Sequence, residues 1–234
     1  LLISILPSIQ SAIRNPQSAI AQTPSPQSQE AISRFNRAVE LQRQGALAEA
    51  EAEYRAVLAV APNYAEAHAN LGAVLIRLDR YEEGIKAYET ALKLNPKLTP
   101  ILLNLGIAHH RNGEFVKAVD AFKRFLAVSP GHVQATQLMG LSLVELGRDQ
   151  EALEYLERGL SATPEDPALL YAVGLASLRL KKPMVSGAID ALASARGGLP
   201  ASYLLRGQSL LMLTQFEKAV VELETAKKLD PNLP

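Results

Sequence analysis

The chain has 234 residues, 48% of them hydrophobic and 21% charged, enough apolar material for a packed core and too much for global disorder. Lys and Arg total 24 against 24 Asp and Glu, so the basic excess of a general nucleic-acid or anionic-membrane binder is missing. There is no cysteine, which removes disulfides, thiolate catalysis and cysteine-ligated zinc.

Residues 1–30 read as a leader and flexible linker. Leu1 to Ile13 is mostly apolar but broken by Pro7, and it is too short to span a bilayer. Ala19-Ile20-Ala21 has the small-x-small form of a signal-peptidase site. The basic n-region is missing and the apolar stretch lies far upstream, so a cytoplasmic and an exported or periplasmic location both stay open. Gln22 to Gln29 is uncharged, with two prolines and three glutamines, the composition of a linker.

From residue 31 a period takes over. Prolines stand at 62, 96, 130 and 164 and glycines at 72, 106, 140 and 174, each 34 after the last. Gly207 and Pro231 keep the internal offset of 24 seen between Gly72 and Pro96. Six units follow, at 31–64, 65–98, 99–132, 133–166, 167–199 and 200–233. Within each, apolar spacing is helical: Leu71 and Leu75 mark a first helix, and Gly84, Tyr88 and Ala91 a second. Asp79-Arg80 and Asn112-Gly113 are the turns between them, glycine supplying the left-handed conformation that ends a helix. The closing proline ends the second helix by pushing Asn95 out of the α region. Thr99-Pro100 and Asp166-Pro167 put a capping side chain before a proline at the first helical position.

A mid-helix glycine costs about 1 kcal/mol against alanine. Close approach of the second helix is the expected compensation, with Ala50, Gly84, Ala118, Ala152 and Ala219 answering the same need on the partner helix.

These residues resemble the tetratricopeptide repeat, a 34-residue helix-turn-helix unit with Leu-Gly, Ala-x3-aromatic, Ala and a closing Pro at fixed offsets. The resemblance implies an all-α fold, a right-handed α-solenoid of about six helix-turn-helix units. Ala38 takes the glycine place in the first unit, and bulky Phe125 takes an alanine place in the third. The fifth departs most: Ala188-Leu192-Ala195 runs two residues late, and Arg196-Gly197-Gly198-Leu199 is a shortened linker. With Pro183, that junction is an expected bend or soft point. At the far end, Leu223 and Leu229 are expected to lack a covering neighbour.

In the family, first helices line a concave groove. The residue before Leu in each Leu-Gly pair points into it, which places Asn36, Asn70 and Asn104 there, 34 apart. This ladder is most similar to the repeats of the O-linked GlcNAc transferase family, where groove asparagines grip an extended peptide backbone. A carboxamide suits that task, with one acceptor and two donors for any peptide group. An ordinary exposed asparagine is the plainer reading. The same position carries Leu138, Ala172 and Leu205 in the later units. Seven residues on stand Arg43, Arg77, Arg111, Glu145 and Arg179; the arginines either favour acidic segments or complement helix C-termini. Leu138, Leu141, Tyr171, Leu175, Leu204 and Leu205 form an apolar docking strip, or in part core. The cationic residues of the family's chaperone-binding carboxylate clamp are missing.

His109 and His110 project about 100° apart on a helix, which speaks for packing over a shared metal. No Ser/His/Asp set, phosphate loop or paired cleft carboxylates is present. The expected function is therefore a non-enzymatic scaffold that binds a peptide segment of another protein. Its alternatives are the recognition arm of a larger enzyme such as a glycosyltransferase, and a self-assembling array. The expected partner is a protein or peptide, with self-association through the C-terminal helix open; no nucleic acid, cofactor, metal or membrane is expected for the array.

Overall fold

The computed structural model describes residues 26–182, 191–192 and 200–232, and among these there are eleven helices and no strand. The leader to residue 25 and the fifth-unit features at Pro183, Ala188, Ala195 and Arg196 to Leu199 lie outside the described residues. Helix α1 (Pro26–Gln44) starts inside the expected linker, so Pro26 to Glu30 is helix rather than coil. The others are α2 (Leu47–Val60), α3 (Ala65–Arg77), α4 (Tyr81–Leu94), α5 (Pro100–Arg111), α6 (Phe115–Val128), α7 (Val133–Glu145), α8 (Asp149–Ala162), α9 (Pro167–Arg179), α10 (Pro200–Met212) and α11 (Phe216–Leu229). The fold is all-α, a succession of helix-turn-helix repeats. Two compact units divide it at Glu114 and Phe115: α1 to α5 belong to the first, α6 to α11 to the second.

The turns explain the regularity. Six of the described residues adopt positive φ: Gly45, Asp79, Gly113, Gly147, Lys181 and Thr214, one per repeat. Around each, two backbone bonds close the first helix. At Asp79, its own N–H donates to the Ile76 carbonyl (3.1 Å) and the Arg80 N–H to the Leu75 carbonyl (3.0 Å). The same pair recurs at Gly113 and Glu114, and at Thr214 and Gln215. This Schellman arrangement satisfies carbonyls that the helix end would leave open.

Helix starts are less uniform. Asp166 caps α9 as its sequence implies, accepting from the Ala168 and Leu169 N–H groups. Thr99 does not cap α5: its backbone is already helical and its side chain makes no capping bond. His132, not expected in this role, accepts from the Ala135 N–H at 3.2 Å and meets the buried Phe125 ring edge-on at 5.0 Å.

The packing role of the glycines is explicit. A Cβ on Gly72 would lie 2.9 Å from Tyr88 Cδ1 and 3.0 Å from the Gly84 carbonyl oxygen. On Gly140 it would meet Leu156 Cδ2 at 2.8 Å, and on Gly207 the Leu223 side chain at 2.6 Å. Leu223 is thus used within its own pair, contrary to the expectation that it lacks a neighbour; Leu229 is half exposed. Ala50, Ala118, Ala152 and Ala219 have no exposed surface. In the first unit Phe35, Tyr54, Val57, Leu71, Val74 and Leu75 form one buried cluster.

Candidate functional site

Within the first unit the first helices α1, α3 and α5 lie side by side, α3 touching both others. They carry the asparagine register. Asn36 is exposed, whereas Asn70 and Asn104 are each only 8% exposed. The Asn70 carboxamide lies beside the Tyr54 hydroxyl on α2 and favours its ionised form, and Asn104 does the same for Tyr88 on α4. Tyr54 in turn donates to Gln42 Oε1 at 2.8 Å. Burial holds both tyrosines well above the ordinary phenol range, and the asparagines offset only part of that. Each carboxamide has bonding capacity beyond the tyrosine contact, on a residue that keeps 8% of its surface exposed.

The tyrosines are the residues that reading for a ladder of asparagines overlooks. The signal was available: Tyr54 and Tyr88 recur 34 apart, each 16 residues before an asparagine of the ladder.

The arginines take varied places. Arg77 Nη1 donates to the Gln42 carbonyl at the end of α1 (3.1 Å). Arg179 Nη1 makes the corresponding bond to Val144 at the end of α7 (2.9 Å) and approaches Asp149 at 3.3 Å. Each closes the C-terminus of the preceding first helix, where a cation also opposes the dipole. Arg43 lies 3.8 Å from Glu40, and Arg111 is exposed.

In the second unit Leu138 and Leu141 on α7 and Tyr171 and Leu175 on α9 are all half-buried. These two helices touch, so four apolar side chains share neighbouring first helices with part of each surface open. Leu204 is half-buried and Leu205 buried.

His109 is 3% exposed, with Nδ1 2.6 Å from Glu114 Oε2. His68 Nε2 lies 2.8 Å from the Pro62 carbonyl oxygen. Among the described residues no group of three or more His, Asp or Glu is arranged to hold a metal, and no helix is long and apolar enough to cross a membrane.

Two tetratricopeptide-repeat family models match, one over residues 65–98 and the other over residues 109–175. The chain carries tetratricopeptide repeats. No curated protein matches it. Among solved structures it is similar to YrrB, a tetratricopeptide-repeat (TPR) protein with an unusual peptide-binding site (20% identity, TM-score 0.64, covering 85% of this chain and 92% of that one). It is also similar to PilF of Pseudomonas aeruginosa (18% identity, TM-score 0.61, 88% and 95%). A third is a tetratricopeptide repeat protein of Parabacteroides merdae (20% identity, TM-score 0.55, 96% and 85%). At these identities the likeness is one of fold. Tetratricopeptide repeats serve broadly as protein-interaction scaffolds, and that is the general function the fold supports here.

Proposed function

We propose that the first-helix face of the first unit binds an extended peptide segment of a partner protein, with Asn36, Asn70 and Asn104 bonding its backbone. The observation that carries this reading is the recurrence of three carboxamides at one register on three adjacent helices. Two of them are buried beside tyrosine hydroxyls, so little side-chain freedom remains to be lost on binding. The peptide-binding site of YrrB, on a similar fold, favours the same class of ligand.

Hydrogen bonds contribute about 0.5–1.5 kcal/mol each, so three give about 2–4. Micromolar affinity requires about 8 kcal/mol. The remainder falls to neighbours on the same unit, with Arg43 and Arg111 for acidic side chains; on the second unit, Leu138, Leu141, Tyr171 and Leu175 offer an apolar contact of their own. Backbone recognition makes the site tolerant of ligand sequence.

Peptides selected from a random display library on the wild-type chain test this reading. Their affinity is then measured for the wild type and for the Asn36→Ala, Asn70→Ala, Asn104→Ala triple variant, with thermal melting as a check on folding. A loss of roughly 30-fold or more in a folded variant is expected from the bond energies above. Equal affinity for both proteins removes the asparagines from the site.

A further inference from the structure

The last turn of each first helix in the first unit is basic: Arg43 on α1, Arg77 on α3 and Arg111 on α5. Each stands seven residues after an asparagine of the register. Seven residues are close to two helical turns, so each arginine shares a face with its asparagine, about 10 Å nearer the helix C-terminus. A row of three cations therefore runs beside the row of three carboxamides. The second unit breaks the pattern, with Glu145 on α7 and Met212 on α10 at the equivalent positions.

The three arginines are not equivalent. Arg77 is engaged within the fold, its Nη1 donating to the Gln42 carbonyl at 3.1 Å, as Arg179 does to Val144 in the second unit. Arg111 makes no such bond to the end of α3 among the described residues, and it is exposed. Arg43 lies 3.8 Å from Glu40, with both side chains exposed, a pairing weak enough for a ligand carboxylate to replace. The outer two cations are thus open to a ligand and the middle one is not.

Spacing then constrains the ligand. Helix α3 touches both α1 and α5, and packed helices lie about 8–10 Å apart, so the outer two are about 16–20 Å apart. Six residues of extended chain cover about 19–20 Å. Six is also a whole number of repeats for a strand, whose side chains have a period of two, and for polyproline II, with a period of three. Residues six apart therefore point to the same side in either conformation. We propose that the segment bound by the first unit carries two carboxylate side chains six residues apart, one paired with Arg43 and the other with Arg111. This rests on peptide binding along the asparagine register and adds to it the class of ligand. The carboxamides bond the backbone of any sequence, and the outer arginines choose among sequences.

A random peptide library selected on the full 234-residue chain, and in parallel on its Arg43→Gln, Arg111→Gln and Arg111→Glu variants, tests it. Wild-type selection is expected to enrich pairs of Asp or Glu at a separation of six over every other separation, including the separation of three that would draw on Arg77. The enrichment is lost on either glutamine variant. A selected peptide binds each of them about three- to fivefold more weakly at low ionic strength, with circular dichroism unchanged. On Arg111→Glu the enriched pair becomes one acidic and one basic residue, still six apart; an arginine that only supports the fold does not exchange its partner in this way. Peptides that lose affinity for the triple asparagine variant but carry no acidic pair, or carry one at another separation, overturn this proposal and leave backbone binding standing. Failure to select any asparagine-dependent peptide overturns both.

Discussion

The two units solve one packing position in different ways. Where the first has Tyr54 and Tyr88, the second has Phe122 and Leu156, and the residue 16 places later changes in step. Asn70 and Asn104 follow the tyrosines, while Leu138 and Ala172 follow the apolar pair. A buried hydroxyl needs a partner, and a carboxamide supplies it; a buried ring or leucine does not. The asparagine register therefore stops where the hydroxyls stop. Any ligand contact by Asn70 and Asn104 is built on a side chain that already has a structural task, and predictions can be aimed at the difference between the units.

The largest effect is expected at the glycines. In the first unit a Cβ on Gly72 meets the Gly84 carbonyl oxygen at 3.0 Å as well as the Tyr88 ring, and backbone cannot step aside. In the second, Gly140 faces Leu156 Cδ2 at 2.8 Å and Cγ at 2.9 Å, a side chain able to shift, while the backbone nitrogen of Leu156 stands farther off at 3.2 Å. Overpacking costs about 1–3 kcal/mol, against roughly 1 kcal/mol gained from helix propensity. Gly72→Ala is expected to lose about 2 kcal/mol in urea melts and Gly140→Ala about 1 or less. Equal losses mean that the Leu156 side chain is as rigid as the Gly84 backbone.

Alkaline pH separates the units next. Burial raises the Tyr54 and Tyr88 hydroxyls above their ordinary value, and burial with the Glu66 charge pushes Tyr64 up to about 12. A folded-state value above the unfolded one means the stabilisation is whole below about pH 10 and is lost as pH rises beyond it. Each such tyrosine contributes a decline of up to about 1.4 kcal/mol per pH unit in that window. Melts at pH 9 and 11 should show a shallower fall for Tyr88→Phe than for the wild type. An unchanged slope means that Tyr88 reaches solvent.

A transplant tests the pairing itself. Phe122→Tyr alone buries a hydroxyl without a partner, and Leu138→Asn alone gives up apolar contact; each is expected to destabilise. Together they rebuild the Tyr88–Asn104 arrangement, and the double variant should recover about 1 kcal/mol relative to the sum of the single losses. Strict additivity in that cycle breaks the proposed coupling between the two positions.

Much of this architecture was legible in residue spacing, because period, helix pairs and close glycine contacts all depend on residue types at fixed offsets. Thr99 shows where local reading ends: a Thr-Pro pair carries the cap signature, yet the Thr99 backbone turned helical and left its hydroxyl no orphan N–H to meet. Arg206 shows the same for packing. It holds the place of Leu71, and its burial relies on an ion pair with Glu222 on the next helix, a partner that its own position does not reveal, besides the Tyr203 ring one turn back at 5.2 Å. The Tyr–Asn pairing was present in the spacing, but it required comparing two positions in adjacent repeats rather than one position down the array.

The turns offer the smallest and most local contrast. Gly45, Gly113 and Gly147 take the left-handed conformation without cost, while Asp79, Lys181 and Thr214 take it at φ 58°, 54° and 58°. Aspartate tolerates this region better than most residues, and a β-branched threonine tolerates it poorly. Thr214→Gly relieves that strain but adds chain entropy to the unfolded state. The strain relieved is about 1–2 kcal/mol, partly offset by the entropy term. A net gain of roughly 0.5–1 kcal/mol is expected for Thr214→Gly, and less for Asp79→Gly, because aspartate carries less strain to relieve. Measured melts in which Asp79→Gly gains as much as Thr214→Gly make the benefit independent of side-chain branching, and the strain then belongs to the turn backbone common to both units.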